Sequence, residues 1–215
     1  MSPWRNRTHD WVGRAVFVLA HVLYFPSWIR WKLRRHGHRK LQLGSGGNRL
    51  AGWVNSDIDP RAEMIAIVGW PLPFAGASLQ RIYMEHVLEH VPYETAVRFL
   101  REARRVLEPG GVIRIAVPDL EELCRGYLQD DWRQRFDWVK WPQFAFIQTR
   151  AQMLNMGFRW WGHSHLYDRE EMTRVLREAG FQQFEFVERG ASRHEDLCGL
   201  ETRLDSTLVV EATNP

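Results

Sequence analysis

Cysteine is nearly absent from the 215 residues. Cys124 and Cys198 are the only two, far apart and with no CxxC spacing, which argues against a disulfide scaffold and against a cysteine-based zinc site and favours a reducing compartment. No single-residue tract and no internal repeat occur, and with 45% hydrophobic and 26% charged residues disorder, collagen and coiled coil are excluded for the chain as a whole. Long apolar runs are missing as well. The longest uncharged stretch, residues 15–29, is interrupted by His21 and Pro26 and falls short of the roughly 17–25 residues that span a bilayer. It leads into PSWIRWKLRRHGHRK rather than a small-residue cleavage site, so secretion is not expected.

Positive charge is scarce where a nucleic-acid reader would need it. The net charge of +3 conceals an asymmetry: residues 1–40 hold nine Lys/Arg and one acid, Asp10, leaving 20 basic and 25 acidic residues, a net of −5, for 41–215. Nucleic acid is therefore not an expected partner. The basicity defines residues 1–38 as an arm, followed by a domain over 39–215. On a helix Arg7, Arg14 and His21 share one narrow polar stripe amid Trp11, Val12, Ala15, Val16, Leu19, Val22 and Leu23. Such a helix could lie in a membrane surface, with Trp28, Trp31 and the cations from Arg30 to Lys40 meeting anionic headgroups. It could equally pack on the domain. Both readings stay open, and the expected location is cytoplasmic, with peripheral contact at the inner membrane under the first reading.

From Lys40 short apolar runs alternate with helical stretches, the pattern of a mostly parallel sheet with helices outside. Strands are expected at 40–43, 53–58, 64–68, 80–84, 112–117, 184–189 and 206–212. A helix is expected over 93–107, stopped by Pro109-Gly110-Gly111, and a second over 169–179, with Asp168 as N-cap, Glu171 completing a capping box and Gly180 closing it. The Trp- and Phe-rich stretch 121–166 lacks clean periodicity and reads as an inserted helical lid. Its tryptophans, Trp132, Trp138, Trp141, Trp160 and Trp161, are expected to pack in the core or the lid rather than to stack on an acceptor. The fold class is thus α/β, a doubly wound seven-stranded sheet with a lid and an N-terminal helical arm.

The chemistry is expected where the first strand runs into Gly44-Ser45-Gly46-Gly47-Asn48. Glycines there let the backbone turn tightly and approach a ligand. The third glycine of a dinucleotide fingerprint is replaced by Arg49, and no Walker A sequence is present, which disfavours NAD and ATP. Asp57 ends the next strand, where a carboxylate can accept from both ribose hydroxyls. Glycine loop and acid together imply a nucleoside-type ligand. One competing motif, His86-Val87-Leu88-Glu89-His90, matches the H-x-x-E-H zinc-peptidase spacing. Pro92 follows closely and a buried strand precedes it, so no metal is expected and a short helix at the pocket rim is.

The stretches KLQLGSGGNRLAGWVNSDIDP, PLPFAGASLQRIYMEHVLEHVP, FLREARRVLEPGGVIRIAVPDLEEL and HSHLYDREEMTRVLREAGF cover most of 40–184. In order and spacing the chain resembles the class I S-adenosylmethionine-dependent methyltransferases, a Rossmann-like family. The resemblance implies S-adenosyl-L-methionine as cofactor. It assigns the methionine part to Gly44, Ser45 and Gly46 with Asn48 nearby, the ribose to Asp57, adenine contacts to Ile58 and Trp70, and the neighbourhood of the reactive sulfur to Met84, Glu85 and His86. Two departures accompany it. The span from Gly46 to Asp57 is too short for the usual first helix, and Ile67-Val68 stands where the family often carries an acid for the adenine amine. Glu85, His86, His163 and His165 are the titratable candidates near an acceptor. The alternative readings are that His86 packs behind the cofactor, that His163 and His165 anchor the lid, and that Asp119 is a helix cap. The acceptor is expected to be a hydroxyl on a small molecule or glycan. The alternative is a cofactor-binding scaffold without transfer activity that recruits a partner or membrane through its arm.

Overall fold

The computed structural model describes residues 18–20, 22–26, 28–29, 37 and 39–215. Arg7, Trp11, Val12, Arg14, Ala15, Val16, His21, Trp31 and the cations from Arg30 to Arg35 lie outside the described residues. The domain is built on one seven-stranded sheet: β1 Lys40–Leu43, β2 Val54–Asp57, β3 Met64–Ile65, β4 Leu79–Glu85, β5 Leu107–Val117, β6 Gln183–Val187 and β7 Leu208–Thr213. The order is β3-β2-β1-β4-β5-β7-β6. The first five strands in that order run parallel, whereas β7 is antiparallel to both β5 and β6.

Period-two alternation gives the sheet two unlike faces. Leu41, Leu43, Val54, Ile82, Met84, Ile113, Ile115, Val210 and Ala212 point to one side and join the main core. That side is covered by α1, Tyr93–Val106, and by a later helix, Arg169–Ala179. In α1 the residues Ala96, Val97, Phe99, Leu100, Ala103 and Val106 are all buried, the three- and four-residue steps of a helix with one apolar face. Each large side chain so buried contributes about 1.5–3 kcal/mol. The helix ends before Pro109. Leu107 is already extended, and the glycine turn that follows is tied to the C-terminus by Gly110 N–H donating to Asn214 O at 2.9 Å and Asn214 N–H donating to Gly111 O at 2.8 Å. β5 consequently starts five residues earlier than the apolar run suggested.

The opposite face is covered less regularly than the first. Residues 44–53, between β1 and β2, contain only turns, because a full crossover helix needs a dozen residues or more. Cover comes from irregular chain, with Leu50, Trp53, Leu197 and Leu200 packing on Tyr83 and Val112. Arg114, fully buried in mid-strand, donates to Glu201 at 2.5 Å, to Glu211 and to the Ala191 carbonyl at 2.8 Å. This ion cluster holds the 190–201 segment onto the sheet, since a buried guanidinium requires paired carboxylates.

The lid follows β5: α2 Leu120–Gln129, α3 Trp132–Arg135 and α4 Arg150–Arg159, with short 3-10 turns between α3 and α4. It has its own core, in which Trp132, Phe136, Trp138, Phe144, Ile147, Met153 and Met156 are buried. Trp132 and Trp138 thus pack inside as expected, while Trp141 and Trp160 are exposed. α5, Arg169–Ala179, is capped by Asp168, whose side chain accepts from Glu171 N–H at 2.8 Å. The capping box is only half made, because the Glu171 carboxylate turns to His165 and Arg174.

The arm's described residues are helical over 18–20, 22–26 and 28–29, and one side of that helix docks on the sheet edge. Ala20 and Tyr24 are buried with Ile65 and Ile67, flanked by Leu23, Trp28, Ile58 and Trp70. The Tyr24 hydroxyl donates to the Pro71 carbonyl, and burial, with Glu102 adding to it, pushes the phenol up to about 12. Two of the cations expected at headgroups are engaged elsewhere, Arg39 with Glu108 and Lys40 with Asp196 at 2.9 Å.

Candidate active site

Strand register brings the functional ends together. Leu43 lies opposite both Ser56 and Met84, and Glu85 opposite Ala116. The carboxyl ends of β1, β2, β4 and β5 therefore stop at one level, and their loops form the crevice at which parallel sheets bind ligands. Gly44 turns the chain there with φ of 67°, and a Cβ on it would lie 2.2 Å from a Val87 methyl. No other residue type fits. Gly46, with φ of 49°, has nothing within 4 Å of where its Cβ would be, so the loop backbone faces open space.

Asp57 fixes that loop. One carboxylate oxygen accepts from Gly46 N–H at 2.8 Å and the other from Asp59 N–H at 2.9 Å. Each oxygen retains a lone pair, so the group can still accept from two ribose hydroxyls. Ser45 N–H donates to Ser56 O at 3.0 Å, and Asn48 N–H to Ser45 O at 2.8 Å. These residues fit an adenosyl ligand: an open glycine cradle beside a pre-oriented carboxylate. Ile58 and Trp70 stand farther along, in the cluster formed with the arm, where the Trp70 ring meets Tyr24 edge-on at 5.0 Å. The Met84 side chain belongs to the core.

Glu85 and His86, adjacent in sequence, have different tasks. The Glu85 carboxylate accepts from Thr202 N–H at 3.0 Å, Thr202 Oγ1 at 2.7 Å, Arg203 N–H at 3.0 Å and Ser206 Oγ at 2.6 Å. It is a clamp that seats 202–206 over the strand ends. Burial raises its pKa, but the hydrogen bonds from Ser206, Thr202 and Arg203 outweigh that and leave it lowered. A carboxylate held in this way is a poor proton acceptor.

His86 is partly buried, its side chain 8% exposed, and its φ of 51° costs a non-glycine residue about 1–2 kcal/mol. Its Nδ1 is 3.1 Å from Glu89 Oε1 and its Nε2 is 3.5 Å from Asp205 Oδ1. The ring sits at the wall of a cavity of about 690 Å³ between the strand ends and the lid, where Asp119, Trp138, Trp141, Trp161 and Asp205 also appear. His163 lines the same cavity. Its Nδ1 is 2.7 Å from the Gly157 carbonyl, so that nitrogen carries the hydrogen, and burial lowers its pKa against the opposing pull of that bond. His165 instead joins Glu171 at 2.7 Å and anchors the lid's exit. Asp119 caps α2, accepting from Glu121 N–H at 2.9 Å, and burial foremost raises its carboxyl. Sequence reading missed the 202–207 segment, which carries no motif. Its one signal was the polar run Thr202-Arg203 and Asp205-Ser206-Thr207 directly before a buried strand.

A sheet of this order with a glycine turn after β1 and an acid at the end of β2 defines a class I S-adenosylmethionine-dependent methyltransferase. The chain belongs to the methyltransferase domain family, whose model matches residues 47–185. Compared by sequence with curated proteins, the chain has no match. Among solved structures it is similar to an S-adenosylmethionine-dependent methyltransferase from Thermotoga maritima, 17% identical, with a TM-score of 0.51 and 97% of each chain covered. It is also similar to a chain from the complex of the Haloferax volcanii Trm112 methyltransferase activator with a methyltransferase, 16% identical, with a TM-score of 0.47 and coverage of 98% of this chain and 99% of that one. The first supports the fold.

The Glu85 clamp carries a pH signature. Its folded pKa lies below the ordinary 4.5, so its stabilisation is complete above that value and is lost as pH falls through the lowered one. Urea midpoints of the native chain should fall with acid more steeply than those of Glu85→Gln, the two curves converging once the pH has passed below the lowered pKa. Parallel curves at every pH would exclude the clamp.

Proposed function

We propose that the enzyme methylates a hydroxyl group on a small molecule or glycan. The observation that carries this reading is the composition of the cavity beside His86. Trp138, Trp141 and Trp161 contribute aromatic surface, while Asp119, Asp205 and His86 contribute polar groups. Aromatic faces combined with convergent carboxylates suit a polyhydroxylated ring, which is apolar on its faces and hydrogen-bonding at its rim.

S-adenosylmethionine supplies, when bound, a methyl group on a positively charged sulfur. Gly44, Ser45, Gly46 and Asp57 would hold it, and the lid would exclude water from the acceptor side. In this reading His86 Nε2 and the Asp205 carboxylate would hydrogen-bond the acceptor hydroxyl and take its proton, with Glu89 facing the other ring nitrogen. Positioning is the larger contribution, because bringing the oxygen to about 3 Å from the methyl carbon replaces a bimolecular encounter. Incubating the full chain with labelled cofactor and panels of sugars, phenols, amines and RNA should yield S-adenosylhomocysteine only with hydroxylated acceptors, together with the matching methyl ether by mass spectrometry. Transfer to an amine or RNA would reject the acceptor class. Cofactor binding without turnover on any panel would favour the scaffold reading.

We also propose that the arm rests on an anionic membrane surface. Among the described residues no helix is long and apolar enough to cross a membrane. Yet the side of the arm helix turned away from the domain exposes Val18 (61%), Val22 (66%), Phe25 (60%) and Ile29 (52%), spaced as a single helical stripe. Arg30, Lys32, Arg34 and Arg35 follow directly in sequence. An apolar stripe beside clustered cations complements acyl chains and anionic headgroups together. The full chain should cosediment with vesicles containing phosphatidylglycerol and poorly with phosphatidylcholine alone, and Val22→Asp with Phe25→Asp should abolish the difference. Equal sedimentation of variant and native chain, or a concentration-dependent dimer that the variant loses, would reject the lipid occupant.

A further inference from the structure

Glu89 is the most anomalous polar group in the domain. Its side chain is fully buried, and neither carboxylate oxygen has a hydrogen-bond partner among the described residues. A buried carboxylate normally accepts several hydrogen bonds or coordinates a cation, because its desolvation otherwise costs several kcal/mol. The groups that face it are imidazoles. His86 Nδ1 is 3.1 Å and His90 Nε2 3.9 Å from Glu89 Oε1, and donor atoms of Glu89, His90 and His163 all lie within 4.8 Å of one another.

We propose that Glu89, His90 and His163 bind a divalent transition-metal ion of the zinc class at the inner wall of the lid cavity. Two donors on a tetrahedral cation, each about 2.0–2.2 Å from it, stand about 3.4 Å apart. The His90 to Glu89 separation needs only a small side-chain adjustment to meet that. Two imidazoles and one carboxylate suit zinc among divalent ions and leave positions for water or another ligand. The orientation of His163 is an independent observation. Its Nδ1–H donates to the Gly157 carbonyl at 2.7 Å, which presents Nε2 as a lone pair, the outer hydrogen bond by which metal-bound histidines are held.

The backbone prepares the same arrangement. Glu89 and His90 occupy a single 3-10 turn, Leu88–His90. The 163–165 segment is strapped onto that turn by Ser164 N–H and His165 N–H, both donating to Glu89 O, at 2.7 and 3.1 Å, and by Ser164 Oγ donating to His90 O at 3.1 Å. A cation here would join the β4 end of the sheet to the exit of the lid. The ligand set differs from the H-x-x-E-H reading that the sequence suggested. His86 leaves β4 with a positive φ and directs Nε2 toward Asp205, so it is not paired with His90 across a helical turn. The second nitrogen comes from His163 instead. The proposal departs from the sequence expectation of no metal, and it does not depend on which acceptor is methylated.

The test uses the untagged full chain, stripped with chelator, dialysed and reloaded with zinc chloride. Plasma mass spectrometry should find one equivalent of zinc retained by the native chain, and cobalt(II) in its place should give the visible absorption of a four- or five-coordinate site. His90→Gln, at a half-exposed position, should lose at least tenfold in zinc affinity by calorimetry while binding S-adenosylmethionine as the native chain does. Retention of native zinc affinity by His90→Gln, or no zinc retained by the native chain, would overturn the proposal. Loss of cofactor binding in the native chain would instead count against the methyltransferase reading and leave the zinc result to stand on its own.

Discussion

A single charge-assisted contact, from the Gly46 amide to the Asp57 carboxylate at 2.8 Å, joins the glycine turn after β1 to the end of β2. It has this reach because the loop after β1 is too short to form the usual crossover helix. With no helix N-terminus to orient the turn, the aspartate at the end of the neighbouring strand holds it, and the left-handed glycine at 44 is imposed by Val87 packing against it. The level to which β1, β2, β4 and β5 rise then decides what else can reach the crevice: His86 from β4, Asp119 after β5 and the 202–207 segment before the antiparallel β7.

Three of the four hydrophobic cores among the described residues surround this centre. The main core lies under α1 and α5, the lid has an aromatic core of its own, and the arm makes a third against the sheet edge. Lid and sheet meet mainly through polar contacts, the hydrogen bonds from 164 and 165 to Glu89 and the isolated bridge between Asp119 and Tyr167. Such a seam suits a cover over a reaction site, because apolar packing stabilises each side separately while directional bonds set their distance. The arm brings an exposed apolar stripe to the domain and, through Tyr24, packs against Trp70.

The glycine turn, Asp57 and both long helices were legible in the sequence because each depends on local rules: a backbone conformation few residues adopt, an acid at a strand end, apolar steps of three and four. The fold class followed from the alternation of elements. What could not be read depends on long-range pairing. Arg114 sits in an otherwise apolar strand, and only its meeting with Glu201 and Glu211, some 90 residues distant, explains it. Glu85 looked like a candidate acid because its partners, Thr202 to Ser206, carry no pattern of their own. Glu89 and His90 were visible in a motif, but His163, the third ligand of the proposed metal site, comes from the far end of the lid, and no spacing rule spans an insertion of that length. Element ends shifted for a related reason: β3 is two residues rather than five, since only Met64 and Ile65 find partners on β2.

The account stands on Asp57 and the glycine cradle receiving the adenosyl group, and isothermal calorimetry of S-adenosylmethionine binding to the native chain and to Asp57→Ala addresses that directly. The account predicts measurable binding by the native chain and a loss of about 1.5–3 kcal/mol, roughly ten- to 150-fold, in the variant, the scale of charged hydrogen bonds removed. Equal affinities in a folded variant would contradict it.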